Sequence, residues 1–214
     1  MSLVIEQLIA DRVIKNPLLV EAFREIKRQD FVRAEDQYEA EANAPIPIGS
    51  GQTISQPFTV AMMLEWLDPR PSDRVLDIGS GSGWQSALLA HVVGHSDGGL
   101  VVAIERIAEL KTFGEQNIAK YNYISSGIVK CFLGDGGFGY QEFAPYNRVI
   151  AAAGAAKIPE PLLDQLAIGG RLVMPVGDEW SQSIVVVDKI GDKQYKEERH
   201  AGFVFVPLIT KALP

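Results

Sequence analysis

The residues best suited to chemistry in this sequence are a run of glycines and two acids that follow it at regular intervals. The segment Arg74-Val75-Leu76-Asp77-Ile78-Gly79-Ser80-Gly81-Ser82-Gly83-Trp84 reads as a strand entering a glycine turn and then a helix. Glycine admits φ > 0 and lets a ligand approach main-chain N–H groups at a helix N-terminus. A second apolar run, Val101-Val102-Ala103-Ile104-Glu105, ends in an acid about 20 residues beyond the glycines, where a carboxylate can accept from both ribose hydroxyls. A third run closes on Leu133-Gly134-Asp135-Gly136, again an acid and a glycine at a strand's carboxyl edge. Together they describe a site for a ligand that contains adenosine. The plainer alternatives are a helix cap with a surface carboxylate, and a tight Asp-Gly turn at 135–136.

A dinucleotide is the obvious competitor. Its pattern G-x-G-x-x-G needs a third glycine, and that position is Trp84 counted from Gly79 or Ser86 counted from Gly81, so neither register fits. Other chemistry is sparse. The single cysteine, Cys131, lies in an apolar run and reads as a buried structural thiol, which leaves no disulfide and no CxxC motif. The three histidines, His91, His95 and His200, show no ligand constellation, so no metal site is expected. With a net charge of −7 and no basic cluster, the counterion release that drives nucleic-acid binding is missing. The first residues lack the pattern of a signal peptide, and no apolar run approaches the roughly 20 residues that span a bilayer. A cytoplasmic protein without a membrane or nucleic-acid partner is the expectation.

The elements that position these residues follow from hydrophobic spacing. Residues 3–30 read as two amphipathic helices covering one edge of a sheet, the second started by Asn16 as N-cap and Pro17 at the first helical position. From Asp30 to Gln56, prolines and glycines make the chain too irregular for a helix or long strand. Short apolar strands then alternate with helices: helix 57–67, strand 74–78, helix 84–93, strand 100–104, helix 106–121, apolar runs at 128–133 and 148–153, helix 159–167 and strand 171–176. This alternation predicts an α/β fold, a mostly parallel sheet covered on both faces. Near the C-terminus, 183–190 and 202–207 are β-rich runs joined by a charged stretch at 191–200, which predicts an antiparallel edge hairpin. At 214 residues the chain reads as one domain, 1–214, with N-terminal helices and an active-site loop (1–56), a cofactor-binding core (57–177) and a hairpin region (178–214).

The Asp-x-Gly-x-Gly-x-Gly form that begins at Asp77 resembles the first motif of class I methyltransferases. A more specific stretch is Ile46-Pro47-Ile48-Gly49-Ser50-Gly51-Gln52-Thr53-Ile54-Ser55-Gln56-Pro57, which closely resembles the signature of protein-L-isoaspartate O-methyltransferases. Further matches are residues 102–110, Gly134-Asp135-Gly136 with Gly139-Tyr140, Ala144-Pro145-Tyr146, 161–177 and Phe205-Val206-Pro207-Leu208, so the likeness runs from about Phe31 to Thr210. It implies a Rossmann-like class I methyltransferase fold with an N-terminal helical extension. It also implies S-adenosylmethionine as cofactor and damaged, isoaspartyl-containing proteins and peptides as substrates of a monomeric repair enzyme.

By the same likeness Ser55 matches the active-site serine, while Thr53 and Ile54 lie in the stretch lining cofactor and substrate carboxylate. Gly79, Ser80 and Gly81, after Asp77, match the loop around the methionine half. Glu105, followed by Arg106, matches the ribose acid, Asp135 and Gly136 the adenine contacts, and Thr210 a threonine closing over the site. On its residues alone, Ser55 could instead cap the helix starting at Pro57. The chain departs from the family at Glu41 and Ala42, at Asn147 and at 151–156, changes expected at the substrate mouth and the strand edge. They keep open an acceptor other than isoaspartate, another carboxylate or a small molecule, and a non-catalytic cofactor-binding adaptor.

Overall fold

The computed structural model describes residues 2–178 and 180–210. Its centre is a seven-stranded sheet. Five parallel strands, β3 (Arg74–Ile78), β4 (Leu100–Glu105), β5 (Val129–Leu133), β6 (Tyr146–Ala151) and β7 (Leu166–Gly177), are followed by the antiparallel β8 (Gln182–Gly191) and β9 (Gln194–Phe203) in the order β5-β4-β3-β6-β7-β8-β9. A small antiparallel ribbon, β1 (Ile46–Gly49) with β2 (Gln52–Ile54), stands apart. Because successive side chains of a strand point to opposite faces, neighbours divide between two apolar layers. Val75, Val101, Ile150 and Val173 join one core with the larger helices, and Leu76, Val102, Val149 and Leu172 join the other. The chain winds one way from β3 through β4 to β5 and then restarts at β6 on the other side of β3. That reversal opens a crevice at the carboxyl ends of β3 and β6, where open α/β sheets bind ligands.

Among the described residues there are six α-helices: α1 (Leu3–Ala10), α2 (Pro17–Glu25), α3 (Pro57–Leu67), α4 (Trp84–Val93), α5 (Ala108–Ala119) and the short α6 (Glu160–Asp164). The Asn16 side chain caps α2 as expected, accepting from the Leu18 amide at 2.9 Å. The first two helices do not cover a sheet edge, however. α1 packs on α3 and α2 packs on α4, so they form a second helical layer, with Leu19, Ala22 and Phe23 buried.

The segment 30–56 is more ordered than its composition predicts. It holds two 3-10 turns, Arg28–Phe31 and Ala34–Glu39, and then the β1–β2 ribbon. Arg28 is buried and its guanidinium donates to the carbonyls of Ala40, Ala42, Ala44 and Ser55 at 2.8–3.2 Å. Burial lowers its pKa to about 10, opposed by the nearby Glu41 carboxylate. One side chain thus does for this segment what a backbone ladder does elsewhere.

The C-terminal region forms the expected antiparallel hairpin at the sheet edge, but its second strand lies earlier in the chain than predicted. The charged stretch is itself the last strand: β9 spans Gln194–Phe203 and pairs with β8, while residues 204–210 leave the sheet. Gly191 pairs directly with Gln194 across Asp192 and Lys193, so a two-residue turn starts the return strand immediately. Charges along an exposed edge strand also block pairing with other chains. The apolar run after it has another use: Gly154 donates to Val206 O at 2.8 Å and Leu208 donates to Gly154 O at 2.7 Å, which lays this segment beside the end of β6.

The expectation that the histidines lack a ligand constellation fails for two of them. His91 and His95 converge with Glu21, their ligand atoms within 4.8 Å of one another. Among the described residues no helix is long and apolar enough to cross a membrane.

Candidate functional site

The turn after β3 is held from three sides. Gly79 and Ser80 donate their amides to Ile104 O at 2.9 and 3.1 Å, and Gly83 donates to Ser80 O at 2.8 Å. Gly83 has φ +84 and abuts α5, where an added Cβ would lie 2.7 Å from Gly114 O. Gly114 answers from α5: a Cβ there would lie 2.6 Å from Gly81 O. The glycine loop and α5 therefore touch backbone to backbone, a contact that only two glycines permit.

Glu105 is buried at the end of β4 and aims both carboxylate oxygens into this loop. Oε2 accepts from the Gly81 amide at 3.0 Å and Oε1 from the Ile107 amide at 2.9 Å. Each carboxylate oxygen has a second lone pair, so acceptor capacity remains toward the crevice. Asp77 is placed differently from the expectation that it binds cofactor. It is fully buried behind the loop, accepting from Gln85 Nε2 at 2.7 Å and Ser86 Oγ at 2.5 Å. Burial, partly offset by these two donors, pushes its pKa up to about 6. Asp77 positions the first turn of α4 and, through it, the loop.

The crevice is a cleft of about 550 Å³, within the range of small-molecule sites. The expected residues Thr53, Ile54, Ser55, Gly79, Ser80, Gly81, Glu105, Arg106 and Gly136 all line it. Asp135 stands just behind Gly134 and Gly136: its Oδ1 accepts from the Gly137 amide at 2.9 Å, while its Oδ2 is buried with no hydrogen-bond partner. An unpaired buried acceptor is costly unless a ligand donor meets it. Thr210 does not line the cleft; it packs on Gly137, where a Cβ would come within 2.4 Å of its Cγ2.

Ser55 is not the cap of α3. The N-cap position falls on Gln56, without a side-chain cap, and the Phe58 amide is instead satisfied by Asn43 Oδ1 at 3.1 Å. The capping reading therefore fails, and Ser55 stands at the cleft between the β1–β2 ribbon and α3.

Three residues that hold this geometry were not singled out in the sequence. Arg28 and Asn43 fix the segment carrying Ser55. Gln182, buried on β8, accepts from the Phe205 amide at 3.0 Å and donates to Asp178 O at 3.1 Å and Phe205 O at 3.3 Å, so it ties down the C-terminal wall of the cleft. Only its apolar neighbours would have hinted that this glutamine is inside.

The sequence is similar over almost its full length to known proteins. A family model described as Protein-L-isoaspartate(D-aspartate) O-methyltransferase (PCMT) matches residues 1–213. The chain belongs to the protein-L-isoaspartate O-methyltransferase family. It is 42% identical over 205 residues to the protein-L-isoaspartate O-methyltransferase of Methanopyrus kandleri, covering 96% of this chain and 89% of that one. To the enzyme of the same name from Methanothrix thermoacetophila it is 46% identical over 193 residues, 90% of this chain and 88% of the other. A Plasmodium falciparum structure described as a protein-L-isoaspartate O-methyltransferase in complex with S-adenosyl-L-homocysteine superposes with a TM-score of 0.86 over 96% of each chain, at 22% identity. That likeness shows the shared fold.

Two of the departures from the protein-L-isoaspartate O-methyltransferase pattern turn out to lie away from the cleft. Glu41 accepts from the Leu3 amide at 3.0 Å and from Ser2 Oγ at 2.7 Å, satisfying the first turn of α1. Asn147 accepts from the Arg74 amide at 2.8 Å, at the amino end of β3 and thus opposite the glycine loop. Only the alanine stretch reaches the site, through Ala152 and Ala153.

Proposed function

We propose that this chain transfers the methyl group of S-adenosylmethionine to the free α-carboxylate of L-isoaspartyl residues in damaged proteins and peptides, as a soluble monomer. Beyond family membership, one observation carries the reading. Among the described residues lining the cleft, Glu105 and Arg106 are the only ionisable side chains, and Glu105 already accepts from two backbone amides. A site so poor in bases suits a nucleophile that is already ionised, and a carboxylate with a pKa near about 4 is ionised at neutral pH.

The residues fit the cofactor. Glu105 offers acceptors to a ribose, the unpaired Asp135 Oδ2 suits an amino donor, and the Gly79–Gly81 backbone leaves room for the methionine half. When bound, S-adenosylmethionine supplies a methyl group on a positively charged sulfur. The protein's part is then to place a carboxylate oxygen in line with that carbon. Alignment of this kind accounts for about 7 to 11 kcal/mol of a barrier. Ser55, Thr53 and the polar edge of the β1–β2 ribbon are the groups that would hold the oxygen, and the wall 202–209 keeps water out. Attack neutralises opposite charges, so fixed donors in a dry cleft favour it over bulk water.

The test is transfer from labelled S-adenosylmethionine to a synthetic isoaspartyl peptide, with the aspartyl peptide as control. Base-labile label on the isoaspartyl peptide alone is the expected result. Label on neither peptide, with the cofactor bound, would overturn the substrate assignment.

A further inference from the structure

Away from the cleft, one group of side chains is arranged for a task that methyl transfer does not use. His91 lies in the last turn of α4, His95 one turn further along, and Glu21 faces them from α2. His91 Nε2 is 3.3 Å from Glu21 Oε1, and His95 Nε2 is 3.6 Å from Glu21 Oε2. Neither is a hydrogen bond. His91 Nε2 is buried without a hydrogen-bond partner, and 3.6 Å is too long for one.

The other ring nitrogens explain the arrangement. His95 Nδ1 is 3.2 Å from the His91 carbonyl oxygen, which can only accept, so Nδ1 carries the proton and the neutral ring presents a lone pair at Nε2. His91 Nδ1 is 3.2 Å from the Tyr123 hydroxyl. Both rings are thus oriented through their outer nitrogens, the arrangement seen around metal-ligating histidines. His95 thus turns a lone pair toward a carboxylate, acceptor facing acceptor, which is unfavourable unless a proton or a metal cation sits between them; the Tyr123 hydroxyl can donate or accept, so His91 can take the matching tautomer.

We propose that Glu21, His91 and His95 form a binding site for a divalent transition-metal ion, Zn²⁺ foremost. Two imidazoles and a carboxylate are a recurrent zinc set, with ligands at about 2.0–2.2 Å. Tetrahedral placement at those lengths puts ligand atoms about 3.3–3.6 Å apart; the imidazole nitrogens stand 3.3 Å from Glu21 Oε1 and 3.6 Å from Glu21 Oε2, and the three ligand atoms lie within 4.8 Å of one another, so small side-chain shifts close the set on an ion. Imidazole also selects against Mg²⁺ and Ca²⁺. The Glu21 and His95 side chains are 50% and 37% exposed, which leaves an entry path and a fourth position for water.

The ion would staple α2 to the C-terminal end of α4, where the helix dipole favours positive charge. α4 begins at the glycine loop, so the staple sits about 15 Å from it along the helix and acts on stability, not on the reacting atoms.

The experiment uses the full chain stripped with chelator, then titrated with Zn²⁺ during thermal unfolding and with Co²⁺ for visible absorption. One ion per chain is expected, with a rise in Tm of about 5 to 11 °C at 100 times Kd. Glu21→Gln and His95→Gln should each weaken binding by about 100-fold or more, since loss of an outer partner alone costs about 10- to 100-fold. Mg²⁺ and Ca²⁺ should have no effect. His95 is a surface residue, so its variant should keep the metal-free Tm of the parent and remain a fair comparison. No response of the parent to Zn²⁺, or an equal response in His95→Gln, would overturn the proposal and leave a protonated His–Glu pair in its place.

Discussion

Asp77→Asn separates two ideas about the glycine-loop acid, and its consequence runs against intuition. The Asp77 carboxylate is fully buried, and its pKa rises from an ordinary 3.8 to about 6 because burial outweighs the donors Gln85 and Ser86. An acid whose folded pKa is raised binds a proton more readily in the folded state. It therefore favours folding most below 3.8, and that advantage is lost as pH climbs through 6. The full span is about 3 kcal/mol, of which about 2 kcal/mol falls between pH 7.5 and 4.5.

Asparagine is neutral throughout. It keeps a carbonyl oxygen for Gln85 Nε2, and the Ser86 hydroxyl can turn to accept from its amide. Urea unfolding of both proteins from pH 4.5 to 7.5 isolates the effect, because the other carboxylates titrate in both and cancel in the difference. The parent should gain about 2 kcal/mol on the variant as pH falls across that range. A difference that stays flat, or grows the other way, would refute the burial argument. Because Asp77 lies behind the loop, calorimetry should find S-adenosylmethionine affinity changed far less than by substitution at Glu105.

Three further outcomes follow from the cleft. Glu105→Gln removes the charge from a side chain that braces Gly81 and Ile107 and faces the ribose position, so S-adenosylmethionine should bind about 1.5 to 3 kcal/mol more weakly; an unchanged calorimetric Kd would take Glu105 out of the site. Ser55→Ala should lower turnover on isoaspartyl peptide while leaving cofactor affinity nearly unchanged, because Ser55 does not cap α3; equal turnover would end its role in holding the acceptor. Gly114→Ala gains about 1 kcal/mol of helix propensity yet forces a Cβ against Gly81 O, so cofactor binding should weaken although residue 114 does not line the cleft; an unchanged Kd would show that α5 yields without moving the loop.

The sequence by itself determined the parts of this protein that depend on local spacing. Short apolar runs leading to Ile78, Glu105 and Leu133 defined three parallel strands, and glycines after the first could only be a backbone-exposing turn. The ribbon Ile46–Ile54 with Ser55 was specific enough to indicate the family. What sequence could not decide are contacts between residues far apart in the chain. Arg28 ordering 40–55, Asn43 satisfying the first turn of α3, Gln182 holding the C-terminal wall and Gly114 touching Gly81 have no local signature, because each is a polar or small residue whose partner is brought to it only by the fold. The charged stretch 191–200 misled for the same reason: a single edge strand needs no apolar face once β8 supplies its hydrogen bonds. Glu21, His91 and His95 are the extreme case. Seventy residues separate the acid from the first histidine, and only the packing of α2 on α4 brings them to one point.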